Sequence, residues 1–214
     1  MEPADDLELL DRWRAGDGAA GNALFKRHFE AIYRFFERKV EGEVDELVQD
    51  VFLACLRGRD TFRKQSSFRT YLFAVARFTL YGYWRRLASH GQSLNVEEIS
   101  VASLTTSLGT RMAQREDRVL LLQALRELPL DQQLLLELHY WEGLQGVQLA
   151  EVFGIEEATT RSRLFRARQA LRERLEAAGA RGLPKPPDND SFDAWAKSLR
   201  SESDPAGESN GNPP

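Results

Sequence analysis

The sequence predicts an all-α protein built as two small helical domains joined by a flexible linker, the second domain carrying a helix-turn-helix. Three observations lead there. Apolar residues recur at helical spacing from Asp5 to Arg86 and again from Val119 to Leu175, and no alternating run is long enough for a strand. Between them, Ala88 to Thr110 turns to Ser, Thr, Gly and Asn with no sustained period, which is too long and too polar for an ordinary interhelix turn. Finally, Phe153-Gly154-Ile155 separates a short helical pattern from a long one, and Gly154 supplies the permissive backbone such a turn needs. A length of 214 residues, 42% hydrophobic and 29% charged, suits one modest or two small globular domains. It excludes a collagen-like, disulfide-framed or wholly disordered chain.

The elements follow in order. Gly16-Asp17 interrupts a first short helix, and Asp17 caps the next, which carries Ala23, Leu24, Phe25, Ile32, Tyr33, Phe36 and Val40 and ends at Gly42. A third helix from Glu43 to Leu56 places Val44, Leu47, Val48, Val51, Phe52 and Cys55 on one amphipathic stripe, leaving Asp45, Glu46, Gln49 and Asp50 on the opposite face. After the polar break Arg57 to Ser67, a fourth helix from about Phe68 to Leu87 is unusually aromatic. Phe73 and Tyr71 are its candidate core residues, with Phe62, Phe78, Tyr81 and Trp84 as candidates for exposure. Helical pattern returns over Val119 to Leu128, stops at Pro129 and resumes from Asp131 to about Trp141 with Leu134, Leu135 and Leu138 inward. The helix-turn-helix pairs Leu144 to Val152 with a helix from about Glu157 to Leu175. The expected domains are 5–87 and 119–175, with linker 88–118. The tail 176–214 holds six of the eight prolines and reads as disordered, apart from a short amphipathic patch at Phe192, Trp195 and Leu199.

The net charge of −4 conceals its arrangement. Val51 to Arg86 carries +7, eight cations against one anion, and Ala158 to Arg174 carries +5. Met1 to Asp50 carries −6, Leu87 to Glu157 −7 and Leu175 to Pro214 −3. On a wheel of 100° per residue, Thr160, Leu164, Ala167, Leu171 and Leu175 share the packing side of the last helix. Its far side carries Thr159, Ser162, Arg166 and Gln169, flanked by Arg161, Arg163 and Phe165, a surface suited to base edges and phosphates of duplex DNA. The first basic block interleaves Arg63, Lys64, Arg77, Arg85 and Arg86 with aromatic rings. Cations that track a phosphate backbone beside faces that stack on bases suit a single strand.

His28, His90 and His139 are scattered, no glycine-rich phosphate loop occurs and no nucleophile sits in a known motif, so no catalytic residue, metal or cofactor is expected. Cys55, the lone cysteine, falls on the buried stripe. An acidic N-terminus without an apolar core, and no run of the roughly 18 residues a bilayer crossing needs, point to the cytoplasm and against membrane insertion.

Two segments together resemble the extracytoplasmic-function (ECF) group of bacterial RNA polymerase sigma factors. EVDELVQDVF (Glu43 to Phe52), TFRKQSSFRTYLFAVAR (Thr61 to Arg77) and YWRR (Tyr83 to Arg86) look like the family's second conserved region. LPLDQQLLLELHYWEGLQGVQLAEVFGIEEATTRSRLFRARQALRE (Leu128 to Glu173) looks like its fourth. The resemblance implies a non-enzymatic promoter-recognition subunit whose partners are core polymerase, through the β′ coiled coil and the β subunit, promoter DNA and an anti-sigma factor. Asp45, Glu46, Gln49 and Asp50 would dock on the β′ coiled coil. Phe62, Arg63, Lys64, Arg77, Phe78, Tyr81, Trp84, Arg85 and Arg86 would hold the −10 element, and Thr159, Arg161, Ser162, Arg163, Phe165, Arg166 and Gln169 the −35 element. The sequence departs from the pattern at Phe78, where many relatives have Asn, at Gln148 in place of Glu, and at Glu156 in a position where Ser is common. Other readings of the same residues are a stand-alone helix-turn-helix regulator and a sigma-like protein that sequesters a partner.

Overall fold

The computed structural model describes residues 4–60, 62, 66–88 and 116–179, and all regular structure among them is helical. The first domain holds α1 (Asp6–Arg14), α2 (Gly18–Glu37), α3 (Val44–Gly58) and α4 (Phe68–Ala88). The second holds α5 (Glu116–Arg126), α6 (Leu130–Tyr140), α7 (Gly146–Phe153) and α8 (Glu157–Ala177). Residues 89–115 of the expected linker, and the tail from 180 with Phe192, Trp195 and Leu199, lie outside the described residues.

Side-chain caps set the first two helix starts. The Asp5 carboxylate accepts from Glu8 N–H at 2.7 Å and that of Asp17 from Ala20 N–H at 3.1 Å, each satisfying a donor with no intrahelical partner. Gly16, at φ 100°, makes the turn between α1 and α2. Gly21 lets the two helices close on one another, because a Cβ there would lie 2.6 Å from the buried Trp13 indole. Further along, the Arg14 guanidinium donates to the carbonyls of Arg59 at 2.8 Å and Phe62 at 2.5 Å, pinning the chain that leaves α3.

The stripe expected on α3 is buried at Leu47, Val48, Val51 and Cys55, with Val44 and Phe52 packed at its edge. Burial pushes the Cys55 thiol up to about 12. In α4 the pattern is different: Phe68, Leu72, Phe73, Ala76, Leu80, Tyr81, Tyr83 and Trp84 are all buried, so almost every side of the helix is covered. A helix apolar all round needs neighbours all round, and α4 lies between α2 and α3 of its own domain and α7 of the other.

The two domains therefore pack directly. Lys39, fully buried after α2, donates to the Phe35 carbonyl at 2.8 Å and to the Glu137 carboxylate of α6, whose other oxygen accepts from Gln133 at 2.7 Å. Burial lowers the Lys39 pKa, and Glu137 opposes that shift. Arg69 of α4 grips both the carbonyl and the carboxylate of Glu142, and the Arg38 guanidinium lies 5.0 Å from the centre of the Trp141 ring.

Candidate nucleic-acid interface

Gly154, at φ 65° and ψ 36°, ends α7 in the left-handed conformation and reverses the chain into α8. At the start of α7, Gln148 fills a structural role: its side-chain oxygen accepts from the Gln145 backbone N–H at 3.1 Å, closing a capping box. Glu156 is the N-cap of α8 but contributes no side-chain hydrogen bond.

Along α8, Thr160, Leu164, Ala167, Leu171 and Leu175 are buried against α5, α6 and α7. Thr159, Arg161, Ser162, Arg163, Phe165 and Arg166 are exposed, and Gln169 is half-buried. The hydroxyl of Ser162 donates back to the Ala158 carbonyl at 3.1 Å. The arginines in the C-terminal half of this basic block turn to their own domain. Arg168 donates to the Tyr140 hydroxyl at 2.7 Å and reaches His139, Arg172 is buried, and Arg174 pairs with Glu127 at 3.3 Å. Three of the block's six arginines thus serve the second domain itself, and Arg163, though exposed, lies 3.7 Å from Asp131 of that domain, a division the charge count could not show.

The first basic block is divided in the same way. Phe62 is half-buried with its ring centre 4.8 Å from that of Tyr71, Arg85 and Arg86 are exposed at the end of α4, and Phe78 is 67% exposed. Arg63 and Lys64 lie outside the described residues. The expectation of an open face at Tyr81 and Trp84 needs correction, because both rings are buried, as is Arg77. The cause is the second domain for two of them. Arg77 donates to Asp131 of α6 at 3.3 Å and lies 4.8 Å from the Phe153 ring, and the Tyr81 hydroxyl donates to the same Asp131 oxygen. The other Asp131 oxygen is 3.7 Å from Arg163 of α8. Burial raises the Asp131 pKa against the opposing pull of Arg77 and Arg163. Trp84 packs edge-on to Tyr83 at 5.0 Å inside the first domain.

Asp45, Glu46, Gln49 and Asp50 are all exposed on α3, opposite its buried stripe. Sequence reasoning missed Asp131, Glu137 and Glu142 as contact residues. The available signal was the −7 stretch lying beyond a +7 stretch along the chain.

A helix-turn-helix with an outward arginine face, beside a second helical unit, marks a nucleic-acid-binding protein. Comparison with known proteins gives the class a name. The family profile described as Sigma-70 region 2 matches residues 24–90, and Sigma-70, region 4 matches residues 118–171. The ECF RNA polymerase sigma-E factor of Escherichia coli K12 is 27% identical over 184 residues, covering 82% of this chain and 96% of its own. Its namesake in Haemophilus influenzae is 27% identical over 187 residues, covering 82% and 97%. Among solved structures, CnrH in complex with the cytosolic domain of CnrY has a TM-score of 0.58 at 23% identity, covering 82% of this chain and 99% of that one. The sigma factor RpoE with the anti-sigma factor NepR from Bartonella quintana has a TM-score of 0.55 at 23% identity, covering 69% and 91%. The chain belongs to the ECF group of the sigma-70 family of RNA polymerase sigma factors. Sigma factors are non-catalytic initiation factors. Among the described residues no helix is long and apolar enough to cross a membrane.

Proposed function

We propose that this ECF sigma factor divides promoter recognition between its two domains, with α8 reading the −35 element as duplex and α4 with its preceding loop holding the −10 element as the strands separate. The observation that carries the reading is the helix-turn-helix: Arg161, Ser162, Arg163, Phe165 and Arg166 face outward from the N-terminal half of α8, while the opposite stripe is buried. Arginine forks suit guanine O6 and N7, and the Phe165 ring, 51% exposed, suits a thymine methyl. Thr159 and Gln169 flank that surface. In the first domain, Phe62 and the exposed Phe78 would supply stacking surfaces, and Arg63, Lys64, Arg85 and Arg86 the phosphate contacts. Phe78 can stack on a base but offers no hydrogen bond to its edge.

The exposed acidic face at Asp45, Glu46, Gln49 and Asp50 would dock on core polymerase, which supplies all the chemistry; the chain itself is no enzyme and works in the cytoplasm. The domains divide as 5–87 and 119–175 around the linker 88–118, with the tail 176–214 outside both. Two modest DNA sites held on one polymerase gain affinity through effective concentration, so neither domain need bind tightly alone. An anti-sigma factor is a further expected partner, since the solved structure of RpoE, of similar fold, is a complex of this kind.

Purified core polymerase tests the reading. Promoter-specific transcripts should appear only when the chain is added, and Arg166→Ala should abolish those that depend on a −35 element. Unchanged initiation would refute the sigma role. Replacing Asp45 and Glu46 with Lys should abolish core binding with the fold intact, as followed by circular dichroism; retained binding would remove the docking assignment.

A further inference from the structure

We infer that Phe78 and Gly82 of α4 form a seat for one unpaired base, held by its face, and that position 82 is glycine because a side chain there would cover the Phe78 ring. The inference rests on the −10 role proposed for α4 and gives that role a specific surface and a base selectivity.

Most sides of α4 are buried, but one is open. On the helical wheel Phe78, Gly82 and Arg85 fall within about 60° of one another, and all three are exposed. Phe78, at 67%, is the most exposed large apolar side chain among the described residues. Gly82 beside it is not explained by the fold. Glycine inside a helix is destabilising relative to alanine. Gly82 has no left-handed φ, and a Cβ there would meet nothing within 4 Å, in contrast to Gly21, where it would meet the Trp13 indole at 2.6 Å. Neither backbone strain nor a close neighbour therefore excludes a side chain at position 82.

Helix geometry says what such a side chain would do. Side chains lean toward the helix N-terminus, so one at position 82 would lie over residue 78, a turn back. An aromatic ring and an aliphatic chain at this spacing attract each other, so the added group would rest on the phenyl face. Glycine alone leaves that face open to a flat ligand. Arg85, exposed almost one turn further on, is placed to meet the phosphate beside a seated base. Neither Phe78 nor Gly82 has a side-chain donor or acceptor, so the seat holds a base by stacking and does not read its edge. Purines then outrank pyrimidines by their larger face, and adenine and guanine are equivalent.

The test uses holoenzyme assembled from core polymerase and the full chain, either wild type or carrying Gly82→Ala, Gly82→Leu or Phe78→Ala. The probe is a labelled fork-junction DNA with an unpaired −10 strand, taken from a promoter mapped by the start sites that appear when the chain is overproduced. Binding is followed by anisotropy, and thermal midpoints are measured on the free chains. Both Gly82 variants should melt higher than the wild type, by roughly 4 °C for Gly82→Ala. Gly82→Leu should nevertheless bind the fork about tenfold more weakly, the worth of one stacked base. Removing the unpaired bases one at a time should reveal a position where the wild type loses a similar factor and Gly82→Leu loses nothing further. Adenine and guanine should be interchangeable there. A lower midpoint for Gly82→Ala would show that the fold itself needs the glycine and would overturn the inference. Wild-type binding by Gly82→Leu would overturn it too. In that case a weakened Phe78→Ala leaves the −10 role of α4 standing without the seat, whereas normal binding by Phe78→Ala removes the −10 role as well.

Discussion

Replacing Glu137 with Leu removes one partner of an ion pair whose Lys39 is 0% exposed. Lys39 would keep a single neutral acceptor, the Phe35 carbonyl at 2.8 Å, and its position 4.4 Å from the Phe35 ring centre. Breaking a buried pair in this way costs about 3–5 kcal/mol when the surviving charge stays buried. Here the charge has an exit, since its partner belongs to the other domain and parting the domains returns Lys39 to water. The penalty should therefore appear as lost domain closure, with each domain remaining folded. Small-angle scattering on the full chain should show a larger radius of gyration for Glu137→Leu and for Lys39→Met, and amide exchange should quicken along α6 while the interior of α2 stays protected. The double variant Lys39→Met/Glu137→Leu replaces the pair with apolar groups, a change that is often neutral or stabilising, so it should close again. Coupling between the two sites should lie toward the upper end of about 0.5–3 kcal/mol. A Glu137→Leu chain as compact as the wild type, or a double variant as open as either single one, would refute the reasoning.

Gly21→Ala should destabilise the first domain by about 1–3 kcal/mol, read as a lower urea midpoint, because the added methyl meets the buried Trp13 indole at 2.6 Å. Burial would raise the Asp6 carboxyl, yet hydrogen bonds from His28 and Arg27 outweigh it and hold the pKa below the usual carboxylate value. Its contribution is therefore present above the unfolded value of about 3.9 and lost as pH falls through the folded one; the stability gap between wild type and Asp6→Asn should close between pH 7 and strongly acid solution. Cys55, with its thiol pushed up to about 12, should resist maleimide at pH 8 in the native chain and react at once in denaturant.

Much of the architecture was legible because it is written locally. The stripe from Val44 to Cys55, the Asp17 cap, the stop at Pro129 and the Gly154 turn depend on residues within one or two turns of each other, and each appears where expected. The outward face of α8 was legible for the same reason, since the buried stripe of Thr160, Leu164, Ala167, Leu171 and Leu175 leaves the opposite side of its N-terminal half free. Tyr81 and Trp84 were not. An aromatic, cationic helix has the same sequence whether its rings face solvent, a nucleic acid or a second domain.

The sequence by itself determined the helices, the helix-turn-helix and the two basic blocks, because each rests on periodicity and composition over a few neighbouring residues. Which arginines of those blocks remain free was decided only in three dimensions. Arg77 and Asp131 are 54 positions apart and Lys39 and Glu137 are 98 apart. Such pairs form because burial in a shared interface leaves each charge no better partner than the opposite one brought beside it by the fold.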